Sequence, residues 1–231
     1  MESLIYDEDE IRTFLTDVIK PLEDDEVYIL LLTARKKYSD NMSTSQEVVH
    51  RDVIRNNDQH KMLRKIRRMA NVRGIYTDKN TDQEIEPDAF VLYFLTDPRS
   101  MLKGYKEFVS DIGSWMYDSL KGEYKNLDYY RNLDIKLFSA IHRSRSRSSY
   151  FIVDIDKKDE NMLINIVALL QDDIRWVSET RGGYHLIVDK NENSGTIIYK
   201  QIRGMEYVDI LREPMTAIPG TLQGGFEVKG I

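Results

Sequence analysis

The sequence predicts a mixed α/β chain of the α+β kind, with an N-terminal α/β unit packed on a β-α-β-β-α-β module. Three observations lead there. Apolar runs of strand length recur along the chain, helix-spaced segments separate them, and the last third alternates the two in a definite order. With 231 residues, 41% hydrophobic and 31% charged, a core can be built and disorder is not the default.

The first acidic cluster, DEDE at 7–10, precedes IRTFLTDVIKPL, whose apolar spacing is helical and which stops at Pro21. A second cluster, EDDE at 23–26, leads into VYILLLTA at 27–34, a buried strand followed at once by Arg35, Lys36 and Lys37. Residues 45–73 are expected as one helix, containing the basic run HKMLRKIRRMANVR. DAFVLYFLT at 88–96 is a second buried strand, bounded by Pro87 and a turn-like DPRS. Residues 100–121 and 126–141 are expected as helices, the first ending near Gly122.

After residue 148 the pattern is clearer. SYFIVDID is a strand, and ENMLINIVALLQ is a helix with Met162, Ile166, Leu169 and Leu170 on its apolar face. IRWVSET and GYHLIVD are strands joined around Gly182 and Gly183, residues 194–203 a short helix, and MEYVDIL a final strand. This order is the split β-α-β arrangement shared by ferredoxin-like and RNA-recognition folds. No repeat or low-complexity linker interrupts the chain. Residues 1–231 are therefore expected as a single domain, with 1–141 an N-terminal α/β and helical part and 142–231 the module.

Composition excludes several functions. The chain has no cysteine, which removes disulfides, thiol catalysis and thiolate zinc sites and fits a reducing cytoplasm. No run approaches the ~20 apolar residues of a membrane helix, and the acidic start is unlike a secretory signal. A net charge of −6 argues against a generally adhesive nucleic-acid binder, leaving only local basic patches for that role.

Asp154 and Asp156 end an apolar strand two residues apart and so share one face, with Val153 and Ile155 turned to the other. Carboxylates that close repel unless a cation neutralises them, and a pair of Mg²⁺ or Mn²⁺ ions is a common solution in phosphoryl transfer. A strand running out into the polar turn KKDEN is the plainer alternative. His185 lies in a strand after Gly182 and Gly183, with Arg181 four residues before it. A strand histidine is commonly structural, and paired glycines are common in hairpins. Together with an arginine, however, they make a cradle for phosphates. Asp209, with Glu206 as a rival on the same segment, offers a third carboxylate, and PGT at 219–221 implies a tight turn back toward the sheet.

The order hhhDhD, RGGYH, hhD, PGT resembles the archaeo-eukaryotic primase superfamily, and within it the primase-polymerases, over about residues 148–222. That family carries a DhD or DhE strand, an SxH strand and an hD strand on an RNA-recognition-like module backed by an N-terminal α/β unit. The resemblance implies a primase-polymerase-like core. It makes Asp154, Asp156 and Asp209 the catalytic ligands of two Mg²⁺ or Mn²⁺ ions, and Arg181, Gly183 and His185 the nucleotide-binding residues. The family's serine is Gly183 here, so only a backbone amide can stand in for its hydroxyl. The implied activity is template-directed nucleotidyl transfer, making or extending primers on single-stranded DNA from nucleoside triphosphates. A separate helicase or other replication protein would be a partner, and the setting cytoplasmic with no membrane.

Basic stretches supply template contacts in that reading. Lys61, Arg64, Lys65, Arg67 and Arg68 cover much of one helix surface, and HRSRSRSS presents Arg143, Arg145 and Arg147 just before the DxD strand. Solvated charged faces are the bland alternative for both. TARKKY at 33–38 places a basic residue where it can reach the triphosphate from the other half of the cleft. Two other readings use the same residues: a degenerate module that binds single-stranded nucleic acid or a replication partner without catalysis, and a metal-dependent nuclease.

Overall fold

Two antiparallel sheets organise the chain, and each owes its strands to the apolar runs seen in the sequence. The computed structural model describes residues 3–122 and 131–231. Helix α1 (Glu8–Val18) begins where the Asp7 carboxylate accepts hydrogen bonds from the Asp9 and Glu10 amides. The first acidic cluster thus sits at the positive end of a helix dipole. Ile11, Phe14, Leu15 and Val18 are buried on one stripe. Strand β1 (Glu26–Arg35) is buried along nearly its whole length.

The segment expected as one helix over 45–73 divides. Residues Gln46–Ile54 form strand β2, antiparallel to β1, and only Gln59–Ala70 form a helix, α2, capped by Asp58. Val48, Val49, Val53 and Ile54 are β-branched and pack better on a pleated surface than in a helix. Strand β3 (Phe90–Ser100) runs on through the DPRS expected as a turn. Helix α3 (Met101–Leu120) ends before Gly122, and α4 (Leu133–Arg143) follows; positions 126–130 of the helix expected there lie outside the described residues.

The module then appears in its expected order: β4 (Tyr150–Ile155), α5 (Glu160–Leu170), β5 (Ile174–Glu179), β6 (Tyr184–Asp189), α6 (Glu192–Ile197) with a π turn to Ile202, and β7 (Val208–Ile210). Strand β7 is not the last. Four short strands follow: β8 (Met215–Ala217), β9 (Leu222–Gln223), β10 (Phe226–Glu227) and β11 (Lys229–Gly230).

The first sheet has the order β10-β9-β3-β1-β2, with β8 also on β3, and the second β11-β5-β6-β4-β7. The final residues therefore cross from the module to the first sheet and back. The turn in PGT makes this possible: Gly220 has φ +83° and its carbonyl accepts from the Tyr6 and Asp7 amides.

Side chains alternate between layers. Phe151, Val153, Ile155, Leu186 and Val188 pack under Ile166, Leu170, Ile198 and Ile202 on the helical side of the second sheet. Tyr150, Ile152 and Ile187 point the other way, into a core shared with α1, α2 and the first sheet. Val27, Ile29, Leu31 and Leu95 on the opposite face of the first sheet are covered from α4 by Leu137, Phe138 and Ile141. Among the described residues no helix is long and apolar enough to cross a membrane.

Candidate functional site

Strand β4 lies between β6 and β7, and its register decides which side chains meet. Asp154 is directly opposite His185 on one side and Asp209 on the other. Directly opposed residues share a face, so all three project toward the first sheet, away from the helices. Asp156 is two residues on, with the same facing, and its amide extends the ladder to the Tyr207 carbonyl at 2.9 Å. Tyr207 holds a left-handed φ of +63°, an uncommon conformation for a non-glycine residue, one position before β7.

His185 links the two sheets. Its Nε2 is 3.0 Å from Asp154 Oδ1, and its Nδ1 is 3.2 Å from the Thr216 hydroxyl on β8. In the neutral ring the carboxylate selects the Nε2–H form, and Nδ1 accepts the hydroxyl proton. Both His185 and Thr216 are buried. Thr216 was not visible as a site residue in the sequence, because only the return of the chain to β3 brings it there.

Glycine at 183 is a packing requirement. A β-carbon there would overlap the Ile155 carbonyl oxygen and lie 2.7 Å from the Lys157 amide nitrogen. The Gly183 N–H donates to Thr180 Oγ1 at 3.3 Å, while its carbonyl accepts from the Thr180 amide. Gly182 lies beside Asp156, where a β-carbon would be 3.9 Å from the carboxylate. The paired glycines thus bring the β5–β6 turn close to the acidic end of β4.

The opposite wall comes from the turn after β1. Arg181 stacks on Tyr38, guanidinium carbon 4.9 Å from the ring centroid, and donates to the Gly224 carbonyl. Gln223 joins both, accepting from the Arg181 amide at 3.0 Å and donating to the Tyr38 hydroxyl at 2.9 Å. Burial holds the Lys37 ammonium below the usual lysine range and Arg35 adds to this, whereas Asp156 and Asp154 act in the opposite sense. Lys37 therefore feels the field of both carboxylates from the segment after β1.

Burial raises the Asp156 carboxyl above the ordinary aspartate value; Asp154 and then Asp209 push it further, with Lys37 opposing. A divalent cation would reverse this repulsion, and carboxylate oxygens are the donors Mg²⁺ and Mn²⁺ take. The donor set fits such an ion in chemistry and facing. It is not gathered into a cage: among the described residues no three His, Cys, Asp or Glu side chains are arranged to hold a metal ion. Coordination by Asp154 competes with its hydrogen bond to His185.

The basic residues singled out in the sequence lie elsewhere and are largely neutralised. On α2, Lys65 pairs with Asp52 at 2.7 Å, Arg68 with the same carboxylate, Arg67 with Glu8 at 2.5 Å and Lys61 with Asp58 at 3.5 Å. Arg64 is exposed. Arg143 pairs with Glu107 at 2.5 Å, Arg145 with the buried Asp97 at 3.5 Å, and Arg147 with the buried Glu26 at 2.9 Å. The alternating arginines of HRSRSRSS are thus turned toward carboxylates of the first sheet and α3. Their partners are remote in sequence, so the pattern alone resembles a free basic loop.

Comparison with protein-family models, with characterised proteins and with solved structures gave no match.

Proposed function

We infer that the chain is a template-directed nucleotidyltransferase of primase-polymerase type, an RNA-recognition-like module on an N-terminal α/β unit, working in the cytoplasm on single-stranded DNA. The observation that carries this reading is the cross-strand row His185–Asp154–Asp209 with Asp156 beside it. A cluster of hard anions next to an imidazole and the Arg181–Tyr38 stack combines the needs of cation binding and of triphosphate binding. Asp154, Asp156 and Asp209 would hold Mg²⁺ or Mn²⁺, which when bound supplies charge neutralisation and an acidified hydroxyl nucleophile. Arg181 from the β5–β6 turn and Lys37 from the segment after β1 would orient the nucleoside triphosphate. His185, fixed by Thr216, keeps its Nε2 edge on the carboxylate row and would donate a hydrogen bond to a phosphoryl oxygen once Asp154 turns to the cation.

The deciding experiment incubates the protein with a single-stranded template, labelled nucleotides and Mn²⁺. Templated products that vanish in Asp154→Ala are expected. A second reading, a module that binds single-stranded nucleic acid or a replication partner without catalysis, is favoured by the Asp154–His185 pairing and the ungathered carboxylates. Binding without product would select it, and shortening of the template would select a nuclease.

A further inference from the structure

The brevity of β7 leaves a gap beside β4. Because β7 pairs only with Val153–Ile155, the earlier part of β4 is bordered by the loop after β7 instead of by a strand. A cleft of about 230 Å³ opens there, lined by Arg145, Lys190, Arg203 and Arg212 together with Tyr199 and Phe151. No carboxylate lines it.

Its cations differ from those on α2. No ion pair joins Lys190, Arg203 or Arg212 to a carboxylate among the described residues, and all three are exposed. Lys190 bonds the Ser148 hydroxyl at 3.0 Å, and Arg145 donates to the Arg212 carbonyl at 2.7 Å. In a chain of net charge −6, a pocket with three cations free of carboxylate partners, beside the Asp97-paired Arg145, marks a place for an anion. Aromatic rings are interleaved with it. Tyr199 is 55% exposed and stands edge-on to Phe151, with centroids 6.0 Å apart. Arg203 lies 5.5 Å from the Tyr199 centroid and Lys190 5.1 Å from that of Phe151.

We propose that this cleft binds a segment of single-stranded nucleic acid, with Lys190, Arg203 and Arg212 on the phosphates and a base stacked on Tyr199. Dispersed cations around an exposed ring suit a strand whose phosphates and bases alternate. The cleft is smaller than the ~300 Å³ or more of pockets that enclose small ligands, so it fits a polymer passing through. An acidic peptide would leave the Tyr199 face unused. Phe151 is three residues before Asp154, roughly 10 Å along the strand at ~3.3 Å per residue, but on the helical face of the second sheet, so the cleft and the carboxylate row lie on opposite faces of β4. The proposal rests on the nucleotidyltransferase reading only for the strand's role as template or product; binding itself needs neither metal nor nucleotide.

The test is fluorescence anisotropy of a short labelled oligothymidylate with the full chain, in chelator, across a salt series. For three phosphate contacts at ~0.7 each, log affinity should fall against log salt with a slope of about −2. Arg203→Ala with Arg212→Ala should bring the slope about 1.4 nearer zero. Tyr199→Ala should weaken binding at least about fivefold and leave the slope unchanged. Asp154→Asn should bind as wild type, and the Tyr199, Arg203 and Arg212 variants should melt as wild type because those side chains are exposed. Wild-type affinity in the Arg203/Arg212 variant, no binding by the parent, or equal competition by inorganic phosphate would overturn the proposal. Binding as expected without templated synthesis would instead sink the catalytic reading alone. Synthesis with oligonucleotide binding indifferent to these residues would sink this one alone.

Discussion

Gly183 packs directly against the carbonyl of Ile155, with no room for a β-carbon between the β5–β6 turn and the end of β4. The position where the resembling family has serine is thus closed to any side chain in this backbone. Gly183→Ala and Gly183→Ser are expected to lose about 3 kcal/mol of stability by overpacking, read as a lower denaturant midpoint. Serine should therefore not enhance nucleotide binding, which a titration with a labelled triphosphate would check.

The three carboxylates on one sheet face repel one another, most visibly at Asp156. Asp156→Asn should therefore raise Tm when no divalent cation is present. Millimolar Mn²⁺ should raise the Tm of the parent and leave the variant nearly unchanged, since only the folded parent has the full donor set. Differential scanning fluorimetry with and without chelator reads both effects independently of activity.

Arg147 is expected to act in folding and not in template binding. Its partner Glu26 is fully buried, and removing one member of such a pair strands the other charge. Arg147→Ala should cost about 3 kcal/mol, and Arg147→Met combined with Glu26→Gln should recover much of it. The salt slope of oligonucleotide binding should be the same in all three proteins.

Asp78 ties the 74–86 loop to Ser43 in the segment before β2. It accepts from the Ser43 amide at 2.8 Å, the Ser43 hydroxyl at 2.7 Å and the Asn80 amide at 2.9 Å. Hydrogen bonds from the Ser43 amide and hydroxyl, then from the Asn80 amide, hold its carboxyl well below the usual aspartate range. The folded state thus binds this proton less readily than the unfolded chain, so stability is present above the unfolded value near 3.8 and lost as pH falls below it. Asp78→Asn should lower Tm at neutral pH and flatten the acid limb of the Tm–pH curve.

The module was legible because its signals are local. Alternation around Asp154 and His185 sets which residues face together, and turn glycines set the hairpin, so the shared facing of these side chains is written in the local pattern. Strand β2 was missed because its valines adjoin the strongly helical run after Gln59, and periodicity carried the helix too far. The partners of the basic residues were invisible for a different reason. Asp52, Glu8 and Glu26 meet Lys65, Arg67 and Arg147 only through tertiary packing. Thr216, Gln223 and Tyr38 join the site on the same terms.

The strands after residue 214 have a consequence for biosynthesis. β8 and β9 cover one edge of β3, whose β-sheet neighbours on that side are encoded more than a hundred residues later. A ribosome-bound chain that already holds β1, β2 and β3 must keep that edge bare until residues 215–223 have emerged. Such long-range closure makes folding slow and leaves an adhesive margin open meanwhile. Nascent chains of this protein should therefore be clients of holding chaperones until β8 and β9 can close that edge.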